Sequence, residues 1–325
     1  LSDSSIQIQQ DEALDEEGVA HFTFANERLA NFVGRTTILE KISNYLKNSD
    51  SRILAVYGEG GTGKSALAAR VLKEAQRYNS QAEIVYRFIG ATPSSSDGRS
   101  LLDSLCREIS RRYGASELDI PLDYQDLVKE LPKRMALADE GHPLIMILDS
   151  LDQLSHAQDV RNLSWLPDQL PAHVRVLTTT RQNEDTFTYL KAKHAVLEEL
   201  GGLSRSEGRL LLLTWLQEKR RTLQEPQIDA VLNAFEDSGG TPLYLKLASE
   251  EARLWLSRDG LPPEELAVGI EGIIEHNLID RLAHESNHGQ LLVSKVLGYL
   301  AASRYGLAED EIIDLLSRDL EMYMW

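Results

Sequence analysis

The stretch Gly58-Glu59-Gly60-Gly61-Thr62-Gly63-Lys64-Ser65 fits the pattern GxxxxGK[ST], and its reading decides the fold. It follows a β-rich run at 52–57 and opens a helical run at 63–78. Glycines let a loop curl so that successive backbone N–H groups face inward, and the helix N-terminus adds partial positive charge. Such a loop cradles phosphate oxygens. Lys64 can then reach the β- and γ-phosphates of a nucleotide, and the Ser65 hydroxyl can coordinate Mg²⁺. The candidate cradle is Gly58, Gly60, Gly61, Thr62, Gly63, Lys64, Ser65 and Ala66.

Upstream of the cradle, Ile38, Ile42, Tyr45 and Leu46 recur at helical spacing as far as Lys47. Downstream, a strand is expected at 84–89, then a helix after Ser96 with Leu101, Leu102, Leu105 and Ile109 on one face. Cys106 lies beside that face and reads as a core thiol. A helix at 124–138 precedes residues 144–148, which are apolar at every position, as in a strand buried on both sides. Another strand is expected at 174–180. Strands alternating with helices predict an α/β fold, a mostly parallel sheet flanked by helices, over residues 29–200.

Beyond residue 200 the pattern changes. Ser204 and Glu207 fit a capping box before a leucine-rich helix, and the remainder reads as helical, with turns at Gly239-Gly240 and Pro262-Pro263. A small helical domain is expected at 201–287. In 288–325, Val293, Val296, Leu297 and Leu300, a turn at Gly306, then Ile312, Ile313, Leu315 and Leu316 read as two helices opening an incomplete winged-helix domain. Residues 1–28 carry Asp3, Asp11, Glu12, Asp15, Glu16 and Glu17 without a sustained apolar period and read as a flexible acidic linker.

At roughly 150 residues per domain, 325 residues allow about two domains. The 34 basic and 51 acidic side chains give a net charge of −17, which opposes a broad nucleic-acid surface, so phosphate must be bound locally. No apolar run approaches the ~20 residues of a membrane span, and no signal peptide opens the chain. One cysteine excludes an internal disulfide, and the eight histidines show no metal-ligand spacing. A cytoplasmic location without membrane partners is expected. The chain opens on Leu1, not methionine, and reads as part of a longer protein.

Nucleotide turnover needs a second strand end that brings carboxylates to the metal and to water. Residues 144–148 lead into Asp149-Ser150-Leu151-Asp152. Asp149 leaves the carboxyl end of a buried strand, where ligands of open α/β sheets bind, and is the metal-shell candidate with Ser65. It also fits a simple helix cap. Asp152 is the candidate to orient or deprotonate water, or else a loop carboxylate whose direction is set locally. Residues 174–180 lead into Arg181, which faces the γ-phosphate if this strand neighbours the cradle strand, and is otherwise a surface arginine. Thr179 and Thr180 fit plain strand formers. Phe32, Val33, Gly34 and Arg35 can place an apolar wall and a turn against a base, and equally fit packing before a helix. Pro242, after Gly240-Thr241, fits either a base contact or helix initiation.

Taken together, these segments resemble the STAND class of signal-transducing P-loop ATPases, nearest its NACHT and NB-ARC members, in order and spacing from about residue 30 to 320. The resemblance implies a nucleotide-binding domain, a helical domain and a winged helix that close over ADP at rest and open with ATP into an oligomer. It implies that the segment at Phe32 to Arg35 contacts adenine, that Arg181 senses γ-phosphate and that Pro242 packs on the base. It also implies ATP, ADP and Mg²⁺ as ligands, an effector and a sensor outside this chain, and a role in immune, antiviral or cell-death signalling. Gln153 stands where NACHT proteins typically carry a glutamate, which implies slow hydrolysis.

A switch driven from 1:99 to 99:1 needs about 5.5 kcal/mol of differential binding. One charge-assisted hydrogen bond contributes roughly 1.5 to 3 kcal/mol, so Arg181 must act with other contacts. The rival reading is an AAA+-type ATPase that loads or remodels a DNA or protein partner. Glu309, Asp310, Glu311, Asp314 and Asp319 against Arg318 in the last helix oppose its DNA form. A non-hydrolysing scaffold and a small-molecule kinase complete the alternatives.

Overall fold

The computed structural model describes residues 3–30, 32–256, 265–303 and 306–323. The chain divides into two compact units, Leu1–Leu203 and Ser204–Trp325.

In the first unit the strands are β1 (Leu54–Tyr57), β2 (Glu83–Phe88), β3 (Leu144–Asp149), β4 (Val174–Thr180) and β5 (Val196–Glu199). They form one sheet in the order β2-β3-β4-β1-β5, parallel at every pairing. The expected α/β class is present. The cradle strand β1 lies between β4 and β5, with Tyr57 opposite Thr180 and Glu199. β5 has no counterpart among the expected strands, because four residues ending in two glutamates carry too little apolar signal.

Both faces are covered, as a parallel sheet requires. Leu144, Met146 and Leu148 of β3 join Ile53 and Ala55 in one core with Leu101, Leu105, Leu127 and Leu131 from helices Gly98–Arg112 and Tyr124–Met135. Ile145 and Ile147 join Leu54 and Val56 in the other, against Ile38, Ile42, Leu67 and Val71 from helices Thr36–Lys47 and Lys64–Tyr78. Successive side chains of a strand point to opposite faces, so an all-apolar run serves two cores. Cys106 is fully buried in the first of these, and burial pushes its thiol up to about 12.

The structure corrects the reading of residues 1–28 as a flexible linker. Asp3–Leu29 form a helix that packs against helix Lys64–Tyr78 and the edge strand β2. His21 is fully buried and its Nδ1 accepts the Phe88 N–H at 3.3 Å, while Phe24 stacks on Phe88 with centroids 5.3 Å apart. The contact uses few residues, so it leaves no apolar period in the sequence.

In the second unit, helices Arg205–Glu218, Glu225–Asp237 and Pro242–Ala252 bury Leu211, Leu212, Trp215, Val231, Leu232, Phe235, Tyr244 and Leu245. The Ser204–Glu207 capping box is formed, and Gly239 and Gly240 turn with positive φ. The Tyr244 hydroxyl donates to the Ala267 carbonyl at 2.8 Å, tying helix Pro242–Ala252 to the segment before the π-helical stretch Ile273–Ile279. Helices Gln290–Ala302 and Glu309–Arg318 follow, with a positive φ at Gly306. The turn expected at Pro262-Pro263 lies outside the described residues. Among the described residues no helix is long and apolar enough to cross a membrane.

Candidate functional site

The cradle leaves the carboxyl end of β1. A Cβ on Gly58 would stand 2.5 Å from the Leu200 carbonyl oxygen, so only glycine fits there. Gly61 and Gly63 hold φ of 81° and 94°, a region where an L side chain is strained. Gly60 lies on the open rim, with nothing within 4 Å of a Cβ position. The Thr62 hydroxyl donates back to the Glu59 carbonyl at 2.9 Å and closes the turn. Lys64, Ser65 and Ala66 then open helix Lys64–Tyr78, so their N–H groups belong to its unsatisfied first turn.

Lys64 is 8% exposed, and its ammonium donates to the Gly58 and Glu59 carbonyls, each at 2.8 Å. Burial holds its pKa below the ordinary lysine value, and the negative charges of Asp152 and Asp149 partly offset that. The cation is desolvated yet not fully compensated, as suits a group that meets an anionic oxygen.

Asp149 ends β3 with 1% exposure. Its Oδ1 accepts the Thr179 hydroxyl at 2.6 Å and its Oδ2 the Ser150 hydroxyl at 3.1 Å, and the Ser65 hydroxyl lies nearby. Burial raises its pKa above the usual aspartate value, although the neighbouring hydroxyls of Thr179, Ser65 and Ser150 act the other way. Ser150 follows at φ 60°, ψ 52°, a left-handed backbone that starts the turn Leu151–Gln153. Strain of this kind persists where surrounding bonds impose it. Here the Ser150 N–H donates to Thr179 Oγ1 at 2.7 Å.

Asp152 sits on that turn with 5% of its side chain exposed, and its Oδ2 meets Arg181 Nε at 3.2 Å. Its Oδ1 is buried with no hydrogen-bond partner. Arg181 directly follows β4, the neighbour of both β1 and β3, so three strand ends converge. Gln153 turns toward β2, with its amide oxygen over Gly90.

A family profile described as "AAA ATPase domain" matches residues 31–179. Human "NACHT domain- and WD repeat-containing protein 1" is 31% identical over 315 residues, covering 93% of this chain and 20% of that protein. Mouse "NACHT and WD repeat domain-containing protein 2" is 32% identical over 305 residues, covering 87% of this chain and 17% of that protein. The chain belongs to the NACHT-type P-loop NTPases. It spans about a fifth of the length of these curated relatives. Among solved structures, the Aeropyrum pernix ORC1 protein in complex with DNA superposes with a TM-score of 0.50 at 16% identity, covering 88% of this chain and 78% of that one. That likeness concerns the fold.

The donor set of this NACHT-type site fits Mg²⁺. A cation of this kind typically takes one or two carboxylates plus substrate phosphates and not an all-protein cage. Ser65 lies beside Asp149, whose carboxylate is buried at the end of β3 and held above the usual aspartate pKa by that burial.

Several candidates take structural roles that the sequence did not disclose. The Arg35 guanidinium donates to the Thr62 carbonyl at 2.8 Å and to the Gly201 and Gly202 carbonyls at 2.7 and 3.1 Å, tying the cradle to the end of the first unit. Phe32 packs on the core beside helix Lys64–Tyr78, with the Arg70 guanidinium 5.9 Å from its ring, while Val33 is half-buried and Gly34 turns at φ 64°. Pro242 starts a helix in the second unit.

Thr179 and Arg161 were not foreseen as site residues. Thr179 couples Asp149 to the Ser150 backbone. Arg161, 8% exposed, donates to the Asp152 carbonyl at 3.0 Å and pairs with Glu184, which braces the turn carrying Asp152. A hydroxyl two residues before Arg181 is indistinguishable in sequence from a strand former. Only the pairing of β3 with β4 reveals its partner.

Proposed function

We propose that this chain is the ATP-dependent core of a signalling switch: it binds ADP at rest, exchanges it for ATP and hydrolyses ATP slowly with Mg²⁺. The observation that carries this reading is the convergence of Lys64, Ser65, Asp149 and the Asp152–Arg181 pair at adjoining strand ends. Lys64 and the N–H groups of the cradle bind the phosphates. Ser65 and Asp149 would hold Mg²⁺, which draws charge from the phosphate oxygens. Asp152 accepts a proton from water as the water oxygen bonds to the γ-phosphorus. The bond from that phosphorus to the bridging oxygen breaks, and its electron pair leaves with ADP. Arg181 meets the charge on the γ-phosphate. The absence of a carboxylate at 153 supports a slow rate.

Phe32 to Arg35 are assigned to the adenine, and the helices from Gln290 onward to the start of a winged helix. The names of the relatives pair NACHT with WD repeats, and on that basis we assign the sensing of a protein or foreign ligand to segments beyond these residues. Self-association on ATP binding, a cytoplasmic location and a role in innate immune, antiviral or cell-death signalling complete the proposal.

Isothermal titration with ADP and with a non-hydrolysable ATP analogue, in the presence of Mg²⁺, tests it. Both nucleotides are expected to bind wild-type protein, and Lys64→Ala is expected to lose both. Mass measurement in solution should show a larger species with the ATP analogue alone. Binding of neither nucleotide by folded wild-type protein overturns the reading.

A further inference from the structure

Arg181 and Asp152 are the two residues whose tasks in hydrolysis conflict with their contact to each other. Asp152 is 95% buried on its side chain by what surrounds it, Arg181 is 53% exposed, and the two meet at 3.2 Å through Oδ2. The other oxygen, Oδ1, has no partner. The turn is held elsewhere: Arg161 takes the Asp152 carbonyl and the Ser150 N–H bonds Thr179. Thus the turn's backbone bonds do not involve Arg181, and among the described residues the solvent-reaching guanidinium is the partner that the carboxylate has.

We infer that the Arg181–Asp152 ion pair is a resting lock, exchanged for a pair between Arg181 and the γ-phosphate, so that detection of the third phosphate and release of the water-activating carboxylate are one event. A guanidinium cannot serve both anions in one planar fork without dividing its donors. While it holds Asp152, the carboxylate has fewer acceptor sites free for water. Once a γ-phosphate competes for it, Asp152 regains both oxygens in a pocket that Arg161 keeps in place. ADP has no third phosphate, so with ADP the lock stays closed. The inference rests on the nucleotide reading above and deepens it.

A consequence opposite to that of ordinary damage follows. Asp152→Asn removes the competitor for Arg181 and should tighten binding of a non-hydrolysable ATP analogue by about threefold to fivefold, which corresponds to the roughly 0.7 to 1 kcal/mol of a half-exposed ion pair at 1.4 kcal/mol per tenfold. ADP affinity should change by less than about twofold. In an Arg181→Gln background the same Asp152→Asn change should give no gain. Titration calorimetry on wild type, both single variants and the double variant closes this cycle without reference to turnover. If the gain persists in the absence of Arg181, it comes from lost charge repulsion, and the lock is overturned while the nucleotide site stands. If Asp152→Asn weakens the analogue, the pair supports binding and the lock is likewise overturned. If wild type binds neither nucleotide, the underlying site fails and the lock with it. Arg181→Lys, which keeps the charge, is expected to restore part of the gain, which a purely structural role for Asp152 would not produce.

Discussion

Replacing Thr179 with valine keeps shape and volume but deletes one hydroxyl that two site groups share. That hydroxyl donates to Asp149 Oδ1 at 2.6 Å and accepts the Ser150 N–H at 2.7 Å, and both Thr179 and Asp149 are 1% exposed. A hydrogen bond to a charged group contributes roughly 1.5 to 3 kcal/mol, and a buried donor left unpaired costs about 1 to 3 kcal/mol. The Ser150 hydroxyl still donates to Asp149, so part of the first loss is recovered. The expected destabilisation is about 2 to 4 kcal/mol. Urea denaturation followed by tryptophan fluorescence measures it, since Trp165 is buried within the sheet unit. Thr179→Ser should recover most of the loss. The same variant should weaken the Mg²⁺-dependent part of ADP affinity about fivefold, the equivalent of roughly 1 kcal/mol of lost carboxylate orientation. A valine variant within about 0.5 kcal/mol of wild type, or a serine variant as unstable as valine, refutes the assignment of Thr179 as the residue that positions Asp149.

Lys64→Ala should abolish detectable binding of both nucleotides while leaving the far-ultraviolet spectrum unchanged, and retention of ADP binding at wild-type strength would remove the cradle from the site. Cys106, with its thiol pushed from 9.0 to about 12 by burial, stays protonated across the neutral and mildly alkaline range. Alkylation at pH 8.5 should therefore be slow in folded protein and rapid in urea, and equal rates would contradict the packing described. Gly208→Ala would place a Cβ 2.5 Å from the Phe235 ring and should destabilise the second unit by about 1 to 3 kcal/mol by overpacking, read by differential scanning calorimetry. A neutral substitution would show that helices Arg205–Glu218 and Glu225–Asp237 pack less closely than described.

The cradle and the class of sheet were legible because their signals are local. A loop that must curl around phosphate needs glycine at fixed offsets, and a strand covered on both faces must be apolar at consecutive positions. Residues 144–148 satisfy the second condition, and Gly58, Gly61 and Gly63 the first. The N-terminal helix was illegible for the complementary reason. It is held by His21, Ala25 and an aromatic contact to Phe88, spread over a polar helix with no repeating face. β5 was illegible because a short strand beside β1 is stabilised by its partner's backbone and not by its own composition.

Local chemistry thus named Lys64, Ser65, Asp149, Asp152 and Arg181 as candidates, since charge and hydroxyl type at the ends of strands are properties of the chain itself. Which of them touch was decided by strand order. Placing β4 between β1 and β3 sets Arg181 against Asp152 and Thr179 against Asp149, positions about thirty residues apart in the chain. Contacts of that kind arise from backbone hydrogen bonding between distant segments, and residue spacing along the sequence carries no record of them.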